Sequence, residues 1–155
     1  LPGATMVLAP LSGGGLLGGI ALAVKAVNPA IRTVGVSMDR GPAMIESLTA
    51  GHPVQLPEEP TLADSLMGGI GLDNRYTFDL IRRTVDDTVT LSEAEIAAAM
   101  TFALREERQF VEGGGAVALG AVLHEKAPLV GDNIVVILSG GNVDMGKLIA
   151  LAQED

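Results

Sequence analysis

Three glycine-rich turns carry the residues best suited to chemistry: Ser12-Gly13-Gly14-Gly15, Glu112-Gly113-Gly114-Gly115 and Ser139-Gly140-Gly141. The first and third each follow an apolar run of strand length, Thr5 to Ala9 and Asn133 to Leu138. Glycine lets backbone N–H groups come close to an anion, and the start of a following helix adds partial positive charge. Residues 12–16 are therefore a candidate phosphate site. Such a site needs no lysine or arginine, which suits a chain of formal charge −9. The plainer reading is that these are tight turns in a helix-covered sheet. Two turns placed after strands favour the ligand site, because ligands of parallel sheets sit beyond the carboxyl ends of the strands.

The identity of the phosphate stays open on spacing alone. Gly13, Gly15 and Gly18 satisfy G-x-G-x-x-G between a strand and a helix, and Asp39 follows the next strand, where a carboxylate could take a ribose. That pattern describes a nicotinamide-dependent oxidoreductase domain. Other candidates are weaker. His52 and His124 are isolated, and Asp86-Asp87 reads as a solvated turn. Ser65 and Ser92 have no base nearby in sequence, and Arg105-Glu106-Glu107-Arg108 reads as a solvent-facing stretch of helix. The three lysines, Lys25, Lys126 and Lys147, fall in helical, exposed-looking settings.

Alternating strands and helices must position these turns. Strands are expected at Thr5–Ala9, Thr33–Met38, Asp87–Leu91 and Asn133–Leu138. Helices are expected at Ile20–Val27, Ala43–Ala50 (ending at Gly51), Asn74–Thr84, Ser92 to about Val111, Ala116–Glu125 and Asp144–Ala152. Ser92-Glu-Ala-Glu95 is a capping box, and Pro53 to Pro60 is a surface connector. A short helix at Thr61–Leu66 leads to the Gly68–Gly71 loop. Strand–helix–strand units of this length predict an α/β fold, with a parallel sheet covered by helices on both faces.

Composition narrows the function. In 155 residues there are ten Lys+Arg against 19 Asp+Glu, and only three Phe and one Tyr. An acidic chain so poor in aromatics is not expected to bind nucleic acid or an anionic membrane. Zero Cys removes disulfides and thiolate metal sites and suits a reducing, cytoplasmic setting. The chain opens at Leu1 without Met and runs almost at once into an interior-type strand, so it reads as part of something longer.

The motifs taken together carry a resemblance. Val7 to Ala21 (VLAPLSGGGLLGGIA), Thr33-Val-Gly-Val36, Leu62-Ala-Asp64, Glu112-Gly-Gly-Gly-Ala-Val117 and Ile137-Leu-Ser-Gly-Gly-Asn142 run in the order found in fold-type II pyridoxal-phosphate enzymes. The chain is most similar to the threonine dehydratase and serine racemase group, with Ser12 in place of the first of the usual four glycines. Gly35 to Arg40 and Ala63 to Arg75 resemble the hydroxyectoine-utilisation dehydratases in particular.

The resemblance implies that the chain is the C-terminal part of the large, tryptophan synthase β-like domain, with the N-terminal half as partner. It implies that Ser12, Gly13, Gly14, Gly15 and Leu16 hold the phosphate of pyridoxal 5'-phosphate and that Ser139 faces the pyridine nitrogen. Glu112 and the Gly68–Gly71 loop would lie near the ring. No catalytic residue is carried over, because no lysine here matches the family's Ser-x-Lys. No metal is carried over either: Ser37 and Ala43 stand where racemase-like members place a Glu and an Asp. The implied activity is β-elimination from a β-hydroxy amino acid by a dimeric or tetrameric enzyme, with the isolated chain inactive. A nicotinamide-binding domain and a non-catalytic binding module are the alternatives.

Overall fold

The structure, a computed structural model, describes residues 3–153. Four strands, β1 (Met6–Pro10), β2 (Arg32–Met38), β3 (Asp87–Leu91) and β4 (Ile134–Val136), form one parallel sheet in the order β3-β2-β1-β4. The helices are α1 (Gly15–Val27), α2 (Ala43–Ala50), α3 (Thr77–Thr84), α4 (Glu93–Arg105), α5 (Gly113–Leu123) and α6 (Met145–Leu151). A 3₁₀ turn, Asp64–Leu66, interrupts the long connection between α2 and α3.

The period-2 alternation of the strands splits the interior into two cores. Met6, Leu8, Val34, Val36 and Met38 meet Ile96, Ala99, Val117 and Ala121 of α4 and α5 on one face. Ala9, Leu11, Leu17, Met44, Phe78 and Ile81 fill the other, beneath α1, α2 and α3. Each such large side chain, once buried, contributes about 1.5–3 kcal/mol. The expected α/β architecture is present, and β1, β2 and β3 match their expected spans to within a residue or so at each end.

Several boundaries differ from expectation, for identifiable reasons. Helix α1 starts at Gly15 rather than Ile20, because Gly14 turns the chain in a left-handed conformation (φ 86°) and leaves the next residues free to coil. Helix α4 stops at Arg105, well short of Val111. Arg108 takes a left-handed φ of 58°, and the Gln109 N–H turns back to the Ala103 carbonyl. Glu106 and Glu107 beyond that end would also face the negative pole of a continuing helix. The stretch Arg105–Arg108 is thus a helix end followed by a turn, not a helix face.

The Gly113–Gly115 run does not interrupt a helix; it is the first turn of α5. Asp86-Asp87 is no solvated turn either. Asp86 binds Lys25 Nζ at 2.6 Å and the Thr33 N–H at 2.7 Å, and Asp87 binds Arg32 at 3.2 Å. Strand β4 is shorter than expected and only half-buried, since among the described residues it is paired on one side alone. The apparent opening at Leu1 lies outside the described residues.

Candidate functional site

Strands β1 and β4 pair in parallel, with Leu8 opposite Val136, so their carboxyl ends open on the same side of the sheet. The turns that follow, residues 12–15 and 139–141, therefore meet. Between them lies a cavity of about 200 Å³ lined by Pro10, residues 12–16, Ser65, Leu66, Gly114 and Ser139. None of these residues is charged. Among the described residues, no protein group accepts the N–H of Ser12, Gly13, Gly14, Gly15 or Leu16. A series of unclaimed N–H groups at the start of a 13-residue helix has the geometry to hold an anion.

Individual residues refine that picture. The Ser12 hydroxyl donates to the Leu66 carbonyl at 3.0 Å, so its single proton is engaged and Ser12 has only its N–H to offer an anion. A side chain on Gly13 or Gly15 would meet nothing within 4 Å, so both are open towards the cavity. Gly14 is fixed by its positive φ, and a Cβ there would sit 2.9 Å from Ile81 Cγ1. The hydroxyl of Ser139 has no hydrogen-bond partner among the described residues and is available to a ligand.

The glycine run opening α5 is required by close approach. A Cβ on Gly113 would collide with the Leu62 carbonyl, one on Gly114 with the Ser65 hydroxyl, and one on Gly115 with the Ser139 carbonyl oxygen. Three bare Cα positions thus let the 3₁₀ turn and the 139–141 turn close on the end of α5.

Other expected residues fall elsewhere. Glu112 is the N-cap residue of α5; its side chain lies against Gly140 and lines an adjoining cavity with Asn142 and Lys147. Gly69 and Gly71 line a separate cavity with Leu56 and Leu72. In their place the same connection delivers Ser65, which the lack of a base nearby in sequence had set aside. Contact with Gly114 across 49 positions brings it in, and only its place directly after Leu62-Ala-Asp64 could have signalled that.

Asp39 is exposed and lines none of this cavity, and Gly18 is a packing glycine, since a Cβ there would lie 2.8 Å from Leu80 Cδ2. Lys25 is half-buried and tied to Asp86 and to the carbonyls of Pro29 and Ile31. Lys126 follows α5 rather than lying within it, and binds Glu95 at 2.8 Å. No lysine reaches the cavity of residues 12–16. Ser37 is buried against Met38, and among the described residues no group of three acidic or histidine side chains could hold a metal ion.

Residues 2–140 match the family described as pyridoxal-phosphate dependent enzyme. The chain belongs to that family. Among relatives, it is 53% identical over 146 residues to a putative threonine dehydratase of Sinorhizobium fredii (strain NBRC 101917 / NGR234), covering 94% of this chain and 44% of that protein. It is 36% identical to the L-threonine ammonia-lyase of Thermotoga maritima, over 96% of this chain and 36% of that one. Maize serine racemase superposes with a TM-score of 0.86 at 33% identity, across 99% of this chain and 47% of the other. The chain thus spans less than half the length of these relatives. The family's description fits the geometry of residues 12–16, because a phosphate ester is the kind of anion that unclaimed N–H groups beyond a strand can hold. The family assignment also displaces the dinucleotide reading of Gly13, Gly15 and Gly18. No helix among the described residues is long and apolar enough to cross a membrane.

Proposed function

We propose that this chain is the C-terminal part of the large domain of a pyridoxal-phosphate dependent dehydratase, which eliminates the β-hydroxyl of an amino acid. The observation that carries this reading is the shared cavity: the anion cradle of residues 12–16 and the free hydroxyl of Ser139 open into one uncharged space. The N–H groups of Ser12, Gly13, Gly14, Gly15 and Leu16 hold the cofactor phosphate, helped by the positive end of α1. The Ser139 hydroxyl meets the pyridine nitrogen. A neutral hydroxyl there donates a hydrogen bond without stabilising a proton on that nitrogen, as a carboxylate would, and this suits elimination rather than transamination.

When bound, pyridoxal phosphate supplies the electron sink that acidifies the substrate Cα–H. The lysine that anchors the cofactor and moves the Cα proton comes from outside this chain, since none of Lys25, Lys126 and Lys147 lines the cavity. The substrate loses its Cα proton and its β-hydroxyl as water, and the released enamine hydrolyses to a 2-oxo acid and ammonia. Glu112 borders the site from the adjoining cavity, where it shapes the 139–141 turn by packing on Gly140.

The edge of β4 supports the N-terminal half as partner. Ile134 to Ile137 are half-buried, and an apolar strand with an open edge calls for a cover. Threonine is favoured as substrate by the names of the relatives, and a hydroxyectoine-derived amino acid by the stretches Gly35–Arg40 and Ala63–Arg75. A homo-oligomeric, cytoplasmic enzyme is part of the same reading. The test is ammonia and 2-oxo acid release from threonine by the full-length protein. The isolated 155-residue chain is expected to release neither; measurable release would show that catalysis does not need the other half.

A further inference from the structure

Helix α1 is apolar on every side. Of its 13 residues only Lys25 carries charge, and Lys25 is tied to Asp86. A helix of that kind belongs inside a protein rather than at its surface. One flank is accounted for: Gly18 packs on Leu80 of α3, and Lys25 reaches Asp86 on the same side. The opposite flank carries Leu16, Ile20, Ala23 and Val27, a seam at i, i+4, i+7 and i+11. Ile20 is half-buried, but Ala23 is exposed, as are Leu16 by 47% and Val27 by 87%.

That seam overlooks the open side of the sheet. Ile20 packs on the same core as Ile137, so the seam lies on the side of α1 nearer β4. Among the described residues no strand lies beyond β4, and Ile134 to Ile137 are only half-buried. The corner between α1 and β4 is therefore apolar on both walls.

The handedness of the chain says what fills it. The steps from β1 to β2 to β3 run one way across the sheet and put α1, α2 and α3 on one face. The return to β4 puts α4 and α5 on the other, as right-handed crossovers require. A segment entering β1 from beyond β4 moves in the β1-to-β2 direction, so its helix falls on the α1 face, over β4. There is length for such a segment, since this chain covers 44% and 36% of two relatives. We infer that the seam of Leu16, Ile20, Ala23 and Val27 is the docking surface for a helix from the N-terminal half of the same polypeptide. The apolar side of that helix also covers β4. The inference rests on the part of the proposed function that gives this chain an N-terminal half. A second copy of the chain is disfavoured, because one crossover helix fills both walls of the corner at once. Since Leu16 also lines the cavity of residues 12–16, the docked helix borders that cavity.

The test is cysteine labelling of the full-length protein. Ala23→Cys lies in the seam, and Glu59→Cys lies on the exposed connector. This chain has no cysteine of its own, so mass spectrometry of the peptides carrying positions 23 and 59 is unambiguous. Ala23→Cys should react with a maleimide at least about a hundredfold more slowly than Glu59→Cys, and dilution should leave that ratio unchanged. A photoreactive p-benzoylphenylalanine in place of Val27 should cross-link within one chain, to a peptide that precedes residue 1. Val27→Cys gives the same comparison if Ala23→Cys does not fold. Labelling of the seam at the rate of Glu59→Cys overturns the docking surface. Protection that is lost on dilution, or a cross-link joining two chains, also overturns it and assigns the seam to a second copy. A colourless full-length protein in which Ala23→Cys stays protected overturns the proposed chemistry and leaves the docking surface standing.

Discussion

The carbonyl oxygen of Ser139 occupies the space where a side chain on Gly115 would begin. The end of α5 and the turn after β4 are therefore fitted to each other at backbone level, and the Ser139 hydroxyl is aimed by that fit. Gly115→Ala must push the 139–141 turn away and should cost the full-length protein at least about tenfold in cofactor affinity. Gly19→Ala is the matched control. It lies on an exposed face of α1 with nothing within 4 Å of a new Cβ, and should stabilise by about 0.5–1 kcal/mol. Equal behaviour of the two variants in a cofactor titration would contradict the fit.

Ser139→Ala removes the hydroxyl and leaves the backbone fit unchanged. Cofactor content should be retained, its visible spectrum should shift, and kcat should fall by roughly tenfold. Unchanged spectrum and turnover would take Ser139 out of the site.

Asp86 organises the opposite end of the sheet. Its carboxylate accepts from Lys25 and from both the N–H and the hydroxyl of Thr33, a residue with 0% exposure. Burial pushes the Asp86 pKa up, but these hydrogen bonds and the Lys25 charge outweigh it and leave the value below normal. Asp86→Ala strands the buried Thr33 N–H, while the Thr33 hydroxyl keeps the Thr84 carbonyl at 2.8 Å, and should lower stability by about 1–3 kcal/mol in a urea titration. Asp86→Asn keeps an acceptor and should lose less.

Glu95 gives stability a defined acid dependence. Burial raises its pKa, yet bonds from Lys126 and from the Ser92 N–H and hydroxyl, with the Lys126 charge, bring it down from 4.5 to about 2. A carboxylate depressed in the folded state stabilises fully above its unfolded value and loses that contribution as pH falls through the folded one. The stability gap between the parent and Glu95→Gln should therefore be wide at about pH 6 and nearly closed at about pH 2. A gap independent of pH would mean that the Glu95 charge contributes nothing.

The strands and the glycine turn with its unclaimed N–H groups were legible because their signals are local. Thr5–Ala9 and Thr33–Met38 are short, uncharged, mostly apolar runs, and glycine turns directly after strands mark where the chain leaves the sheet. Ser92-Glu-Ala-Glu95 announced its helix, and both limbs of the box form, at 2.8 and 3.4 Å. What stayed hidden depends on contacts distant in sequence. The Gly113–Gly115 run looked like a break because glycine is a poor helix former. Its reason lies in Leu62, Ser65 and Ser139, which press on it from other segments. Ser65 was invisible for the same reason, and the pairing of Asp86 depended on Lys25 and Thr33 more than fifty positions away. The end of α4 was missed because the left-handed turn at Arg108 carries no glycine to mark it.

The most direct measurement is the cofactor content of the purified full-length protein, wild type and Gly14→Ala, by visible absorption and by release of the bound group. The wild type should carry one pyridoxal 5'-phosphate per chain. Gly14→Ala, which forces a Cβ into a left-handed residue 2.9 Å from Ile81, should lose most of it. A colourless wild type that retains a nicotinamide dinucleotide, or a Gly14→Ala variant that keeps its cofactor undiminished, would contradict the cradle at residues 12–16.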